Sequence, residues 1–197
     1  MRTLLIFAHP VPTSFNAAVF EVTKKALIDA GHDVRVTDLY AEGFDPVLTR
    51  ADHEAYLSDT QSLINKVPQH VENLRWAEAL VFVFPTWYYG PPAILKGWFE
   101  RVWLSGVTFE VAQKKGDTTS SKIKNIRRLM VITTSGSPAW WMFLIGDPCK
   151  RLFTRALRVL FHPTCKTTWM QLYEMNVIGD PERKKFLEKV KRKVSKM

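Results

Sequence analysis

Three short stretches of the chain carry residues suited to chemistry, each in a different way. The first, HPVPTSFN at 9–16, sets His9 near the hydroxyls of Thr13 and Ser14 and the amide of Asn16, ahead of a helical pattern. The first N–H groups of a helix lack partners and sit at its positive end, so an anion is favoured there. Capping by Ser14 alone accounts for the same residues. The glycines of GxGxxG and of the Walker loop are missing. The second stretch, PTWYYGPP at 85–92, crowds Trp87, Tyr88 and Tyr89 between an apolar run and a helix start. Three adjacent aromatics cannot all face one core. They form either a shelf for a planar ligand or an aromatic contact with a second copy of the chain. The third, TTSGSPAWW at 133–141, offers backbone N–H groups around Ser135 and Gly136 and two further indoles. Glycine at 136 lets the backbone approach a bound ring closely.

The elements that must position these stretches are legible from hydrophobic periodicity. Residues 3–8 (TLLIFA) form a continuous apolar run, as in a parallel strand buried on both faces, and it breaks at His9-Pro10 and Pro12. A helix is predicted from Ser14 through Leu27, with Gly31 placed to stop it. Residues 33–39 alternate as a second strand, 79–84 (ALVFVF) and 129–134 (LMVITT) read as the third and fourth, and 164–173 as a fifth. Further helices are predicted over 67–78, 91–103, 147–160 and 181–194, the third with Asp147 as N-cap and Pro148 in its first turn. The turn-rich 41–50 stretch predicts no element. Strands alternating with helices predict one doubly wound α/β domain over 1–197. In such a sheet ligands bind beyond the carboxyl ends of the strands, where 9–16, 85–92 and 133–141 all fall. An anion site, an aromatic shelf and an amide-rich loop at one rim describe a nucleotide with a large flat head group, for which a flavin is the economical choice.

Composition sets the outer bounds. Hydrophobic residues make up 46% of the 197 and charged residues 24%, an ordinary balance for a globular protein with a sizeable core. No apolar run is long enough to cross a bilayer, the opening MRTLLIFAHP reads as a buried strand rather than a signal sequence, and a cytoplasmic location is expected. Cys149 and Cys165 have no metal-ligand spacing and are expected to be buried free thiols, with no metal site. The net charge is +9, and eight basic residues lie within 183–197. Phe186, Leu187, Val190 and Val194 recur there at helical spacing, which predicts a docked helix with a solvated basic face. A patch for phosphates, or peripheral contact with an acidic membrane surface, is the alternative. Nucleic-acid binding has no motif behind it.

With these residues in view, the chain resembles the NAD(P)H:quinone oxidoreductases, the DT-diaphorase and modulator of drug activity B family with a flavodoxin-like fold. The resemblance is carried by AHPxxxSFN at 8–16, DLY at 38–40, FPTWYYGPPAILKGWFERVW at 84–103 and TTSG at 133–136, and it fades beyond about Gly136. It implies a five-stranded parallel sheet with helices on both faces, and a homodimer. It implies that His9, Thr13, Ser14, Phe15 and Asn16 hold the phosphates and ribityl chain of a flavin. Pro85, Thr86, Trp87, Tyr88 and Tyr89 would line the ring, and Thr133, Thr134, Ser135 and Gly136 would complete the pocket. FAD is expected, with FMN as the alternative and NAD(P)H as cosubstrate.

The implied activity is hydride transfer from NAD(P)H, through the flavin, to quinone-type or related aromatic acceptors. Gly136 and Trp141 are the residues expected to stabilise charge on the reduced ring. The family's Tyr and His at this place correspond to Trp141 and Ile145, and an indole donates a hydrogen bond but cannot exchange a proton. That departure, with the basic C-terminus and the apolar WWMFLIG stretch, favours a second reading as a regulatory flavoprotein on a membrane transporter. A one-electron flavodoxin carrier fits poorly, because those proteins are acidic and the isoelectric point here is near 9.6.

Overall fold

The computed structural model describes residues 1–112 and 114–197. The chain opens with β1 (Arg2–Phe7), α1 (Phe15–Asp29) and β2 (Asp33–Asp38). Ser14 caps α1, its hydroxyl accepting from the Ala17 N–H at 3.1 Å, and Gly31 ends the turn at φ +77°. Short helices α2 (Arg50–Ala55) and α3 (Thr60–Ile64) then precede α4 (Pro68–Trp76) and β3 (Ala79–Pro85). After α5 (Ala93–Val102) comes a small antiparallel pair, β4 (Phe109–Glu110) with β5 (Ser120–Ser121). Strand β6 (Arg128–Thr134) leads to α6 (Ala139–Leu144) and α7 (Pro148–Arg151). The latter widens into a π turn over Leu152–Leu157 and tightens over Arg158–Leu160. β7 (Lys166–Leu172) and α8 (Asp180–Val194) close the fold.

The main sheet has the order β2-β1-β3-β6-β7, with every pair parallel. The predicted five-stranded doubly wound architecture is therefore what the chain adopts. Successive side chains of a strand point to opposite faces, and both faces are apolar here. Leu4, Ile6, Leu80, Phe82, Leu129 and Val131 join a cluster with α4, α5 and Phe153. Leu5, Phe7, Val81, Val83, Met130 and Ile132 join one with α1 and α8. Helix α8 is seated through Phe186, Val190 and Val194, all buried, as its periodicity predicts.

Close approach fixes one glycine. A Cβ at Gly97 on α5 would meet the Pro46 carbonyl oxygen at 2.3 Å, so α5 lies directly on the 44–46 segment that the sequence leaves as a turn. The elements missed by periodicity, α2, α3, α6 and the β4–β5 pair, are each six residues or shorter. Six residues complete less than two turns, too few for a helical repeat to show. Local capping holds α2: the Asp52 N–H donates to Thr49 Oγ1 and the Thr49 N–H to Asp52 Oδ2, both at 3.1 Å. Both cysteines are buried and free, and burial pushes the Cys149 thiol up to about 12.

The Asp52 carboxylate also bonds the Lys66 ammonium, and with the Thr49 contacts this lowers it from 3.8 to about 2. A carboxylate depressed on folding contributes stability that is complete above its ordinary value and is lost as pH falls toward the folded one. The urea midpoint should therefore drop between pH 4 and pH 2, and Asp52→Asn should flatten that part of the curve while lowering the midpoint near neutrality.

Candidate nucleotide site

Three connections meet at the carboxyl edge of the sheet, and buried polar contacts tie them together. Asn16, buried in the first turn of α1, donates from Nδ2 to Thr134 Oγ1 at 3.0 Å. This joins the β1–α1 loop to the end of β6 across β3. The Thr86 N–H donates to the Thr134 carbonyl at 2.7 Å, and the Thr86 and Thr133 hydroxyls lie 2.9 Å apart, which joins the β3–α5 loop to the same strand end. His9 and Trp87 face each other with ring centroids 6.0 Å apart.

Each predicted residue has a definite place. His9 Nδ1 accepts from the Val11 N–H at 3.0 Å, and burial lowers the imidazole below its ordinary value. At neutral pH the ring is therefore uncharged, with the remaining proton on Nε2 as a donor. Thr13 and Ser14 line a cleft of about 540 Å³ between this loop and the end of β2, bounded opposite by Asp38 and Tyr40. Ser14 is the helix cap, as the simpler reading of the first loop has it, and also forms a wall of the cleft. The Phe15 ring turns away, lying 6.3 Å from Phe186 in the α1–α8 contact, which leaves only its backbone to the rim.

The aromatic stretch is a tight reversal. Trp87 and Gly90 exchange two backbone hydrogen bonds of 3.0 Å, and Tyr88 and Tyr89 between them have φ of 46° and 64°. Two consecutive left-handed residues make a type I′ turn, which favours Asn and Gly and is costly for tyrosine. Tyr88 projects fully into solvent, while Trp87 and Tyr89 are 43% and 39% exposed. Pro85 is buried at the end of β3. The Trp141 indole on α6 donates to Tyr89 Oη at 3.1 Å, linking the third loop to the shelf. Ile145 ends α6 and carries no group able to exchange a proton.

Of the two amides expected to face a ligand, the structure leaves one. The Ser135 N–H is committed to the Leu172 carbonyl at 2.8 Å, whereas the Gly136 N–H, at an exposed position, has no partner among the described residues. Thr133, Thr134 and Ser135 are buried beneath it. Sequence reasoning missed a fourth connection, 173–179. There the Met175 N–H donates to the Ser135 carbonyl at 3.0 Å, and a Cβ on Gly136 would come within 2.8 Å of Asn176 Nδ2. A turn without periodicity gave no signal for it. Asn16 Oδ1 is buried and has no donor, the one unpaired side-chain oxygen buried among the described residues. An acceptor left so calls for a donor from water or a ligand, and with a helix N-terminus, an aromatic shelf and a free amide around it, these residues fit a flavin nucleotide.

Fold and candidate site together place the chain in the doubly wound α/β class, with a rim suited to a nucleotide. The chain belongs to the family with a flavodoxin-like fold, whose model matches residues 1–195 and so continues past Gly136, where the motifs fade. It is 35% identical over 157 residues to NAD(P)H dehydrogenase [quinone] 1 of Cavia porcellus, covering 71% of this chain and 55% of that one. The chain thus spans about half the length of that relative. Among solved structures, Smu.1420 of Streptococcus mutans superposes over 100% of both chains, with a TM-score of 0.83 and 30% identity. An NAD(P)H:quinone oxidoreductase from Methanothermobacter marburgensis does so over 99% of this chain and 98% of its own, with a TM-score of 0.84 and 26% identity. The resemblance to the NAD(P)H:quinone oxidoreductases is borne out. No described helix is long and apolar enough to cross a membrane.

The strained turn makes a separable prediction. Tyr88 packs on nothing, so Tyr88→Asn, which tolerates positive φ, should raise stability by about 1 kcal/mol, read as a higher urea midpoint.

Proposed function

We propose that this chain is a flavin-dependent NAD(P)H dehydrogenase that reduces quinone-type acceptors by two electrons. The observation that carries the reading is the unpaired Asn16 Oδ1 beneath an exposed aromatic shelf and the free Gly136 N–H. A flavin bound there would supply the redox chemistry, a two-electron exchange between NAD(P)H and the acceptor. The protein contributes orientation and electrostatics. The neutral His9, the Thr13 and Ser14 hydroxyls and the N-terminus of α1 hold the phosphate portion. Asn16 Oδ1 receives a donor from the ligand, and Trp87, Tyr88 and Tyr89 supply the stacking surface. The Gly136 N–H stabilises negative charge that develops at the ring edge, while the Trp141 indole, its one N–H given to Tyr89 Oη, steadies the shelf. Neither Trp141 nor Ile145 releases a proton, so the one proton the acceptor needs beyond the transferred hydride comes from water at the open rim.

FAD is favoured over FMN because the cleft of about 540 Å³ runs on from Thr13 and Ser14 to Asp38 and Tyr40 at the end of β2, which leaves room beyond the phosphate loop for a second nucleotide half. A homodimer is supported by the apolar surface of α6, where Trp140, Phe143 and Leu144 are 67%, 86% and 68% exposed beside the site. Two buried thiols suit a reducing compartment, and we place the protein in the cytoplasm.

Purified protein mixed with NADPH and a soluble quinone should consume NADPH rapidly, and chromatography of the released cofactor should give FAD. Gly136→Pro, which removes the free amide, should lower turnover about a hundredfold. Full activity in that variant would remove Gly136 from the mechanism. Colourless protein that stays so in excess FAD or FMN defeats the reading, and tight flavin without NADPH consumption favours the regulatory one. Sedimentation should give a dimer, and Phe143→Glu should shift it toward monomer.

A further inference from the structure

At the opposite end of the sheet, cations converge on a groove without counter-charge. Lys189, Arg192, Lys193 and Lys196 form one stripe at helical spacing along the end of α8, and they face Thr167 and Thr168 of β7 across a groove of about 580 Å³. A smaller hollow adjoins it, sharing Thr168, Lys193 and Lys196 and adding Arg128 and Lys166. Those last two begin β6 and β7 and stand directly opposite each other in the strand register. Among the described residues none of the six cationic side chains makes an ion pair or hydrogen bond, although pairs such as Arg35–Glu72 and Arg101–Asp45 form elsewhere.

The helix dipole accounts for part of this, since cations are favoured in a last turn. It does not account for Arg128 and Lys166, which lie on strands. Like charges opposite one another across a sheet, or three and four apart on a helix, repel. Two such arrangements on separate elements meet at one concavity. β7 is the sheet edge, so its outward backbone N–H groups add donors along the same wall.

We propose that this groove binds a soluble ligand carrying two or three consecutive phosphate groups, at a site separate from the nucleotide site. The strands span seven residues from Arg128 to Thr134, which puts the two sites about 20 Å apart. A row of phosphates matches a row of cations, with the Thr168 hydroxyl beside them, by charge-assisted hydrogen bonds. A membrane surface fits less well. The apolar side of α8, Phe186, Val190 and Val194, is buried in the core and has nothing to insert, and the cationic surface is concave.

The test uses flavin-loaded protein and inorganic tripolyphosphate, titrated by calorimetry at two salt concentrations. One saturable site is expected, weakening as salt rises. The double variant Lys189→Gln/Lys193→Gln should weaken binding about tenfold or more, with flavin content and NADPH consumption unchanged. Lys184→Gln/Lys185→Gln, which removes the same charge outside the groove, should bind as the parent does. The proposal is overturned if no heat appears, if sulfate binds equally well, or if both double variants lose affinity alike. It is also overturned if the protein sediments with phosphatidylcholine–phosphatidylglycerol vesicles and ignores tripolyphosphate.

Discussion

The buried amide of Asn16 is the contact on which the rim depends. Its nitrogen reaches across β3 to the Thr134 hydroxyl and fixes the distance between the first and third loops, while its oxygen meets no donor. A buried acceptor left unpaired costs about 1–3 kcal/mol. The fold tolerates this because the strands beneath are held by full ladders and by a core that is apolar on both faces. A ligand that supplies the missing donor recovers that free energy. Its orientation is then set by the same side chain that sets the spacing of the loops.

Around that contact the rim holds its shape ahead of any ligand. The 87–90 turn keeps two tyrosines in left-handed backbone, and Trp141 ties the turn to α6. Residues in sparsely populated backbone regions persist only where the surroundings overdetermine them. Here that role falls to the two Trp87–Gly90 hydrogen bonds and the Thr86–Thr134 link. The aromatic surface is consequently exposed yet positioned. The third loop is rigid for a different reason: Ser135 is drawn into the sheet by Leu172, which leaves Gly136 as the residue whose N–H faces outward.

Charge is distributed on a separate logic. At the carboxyl edge the site uses neutral donors and a helix terminus, and His9 is kept uncharged by burial. A cluster of six cationic side chains lies at the other end of the sheet, along α8 and the starts of β6 and β7. The high isoelectric point therefore reflects that far surface more than the nucleotide site.

The sequence alone determined the layers and the rim at which the candidate site residues gather. Apolar runs bounded by proline and glycine specify buried parallel strands whatever surrounds them, and a doubly wound sheet has one edge at which ligands bind. TWYYG and TTSG were recognisable because residues so costly to bury or to bend need a local reason. Tertiary structure decided what depends on partners distant in the chain. Nothing in the local sequence shows that Leu172 takes the Ser135 N–H, that Phe186 draws the Phe15 ring away, that Asn176 closes on Gly136, or that Arg128 and Lys166 stand side by side. Strand register and helix docking make those pairings, and both are set by the packing of the whole core rather than by neighbouring residues.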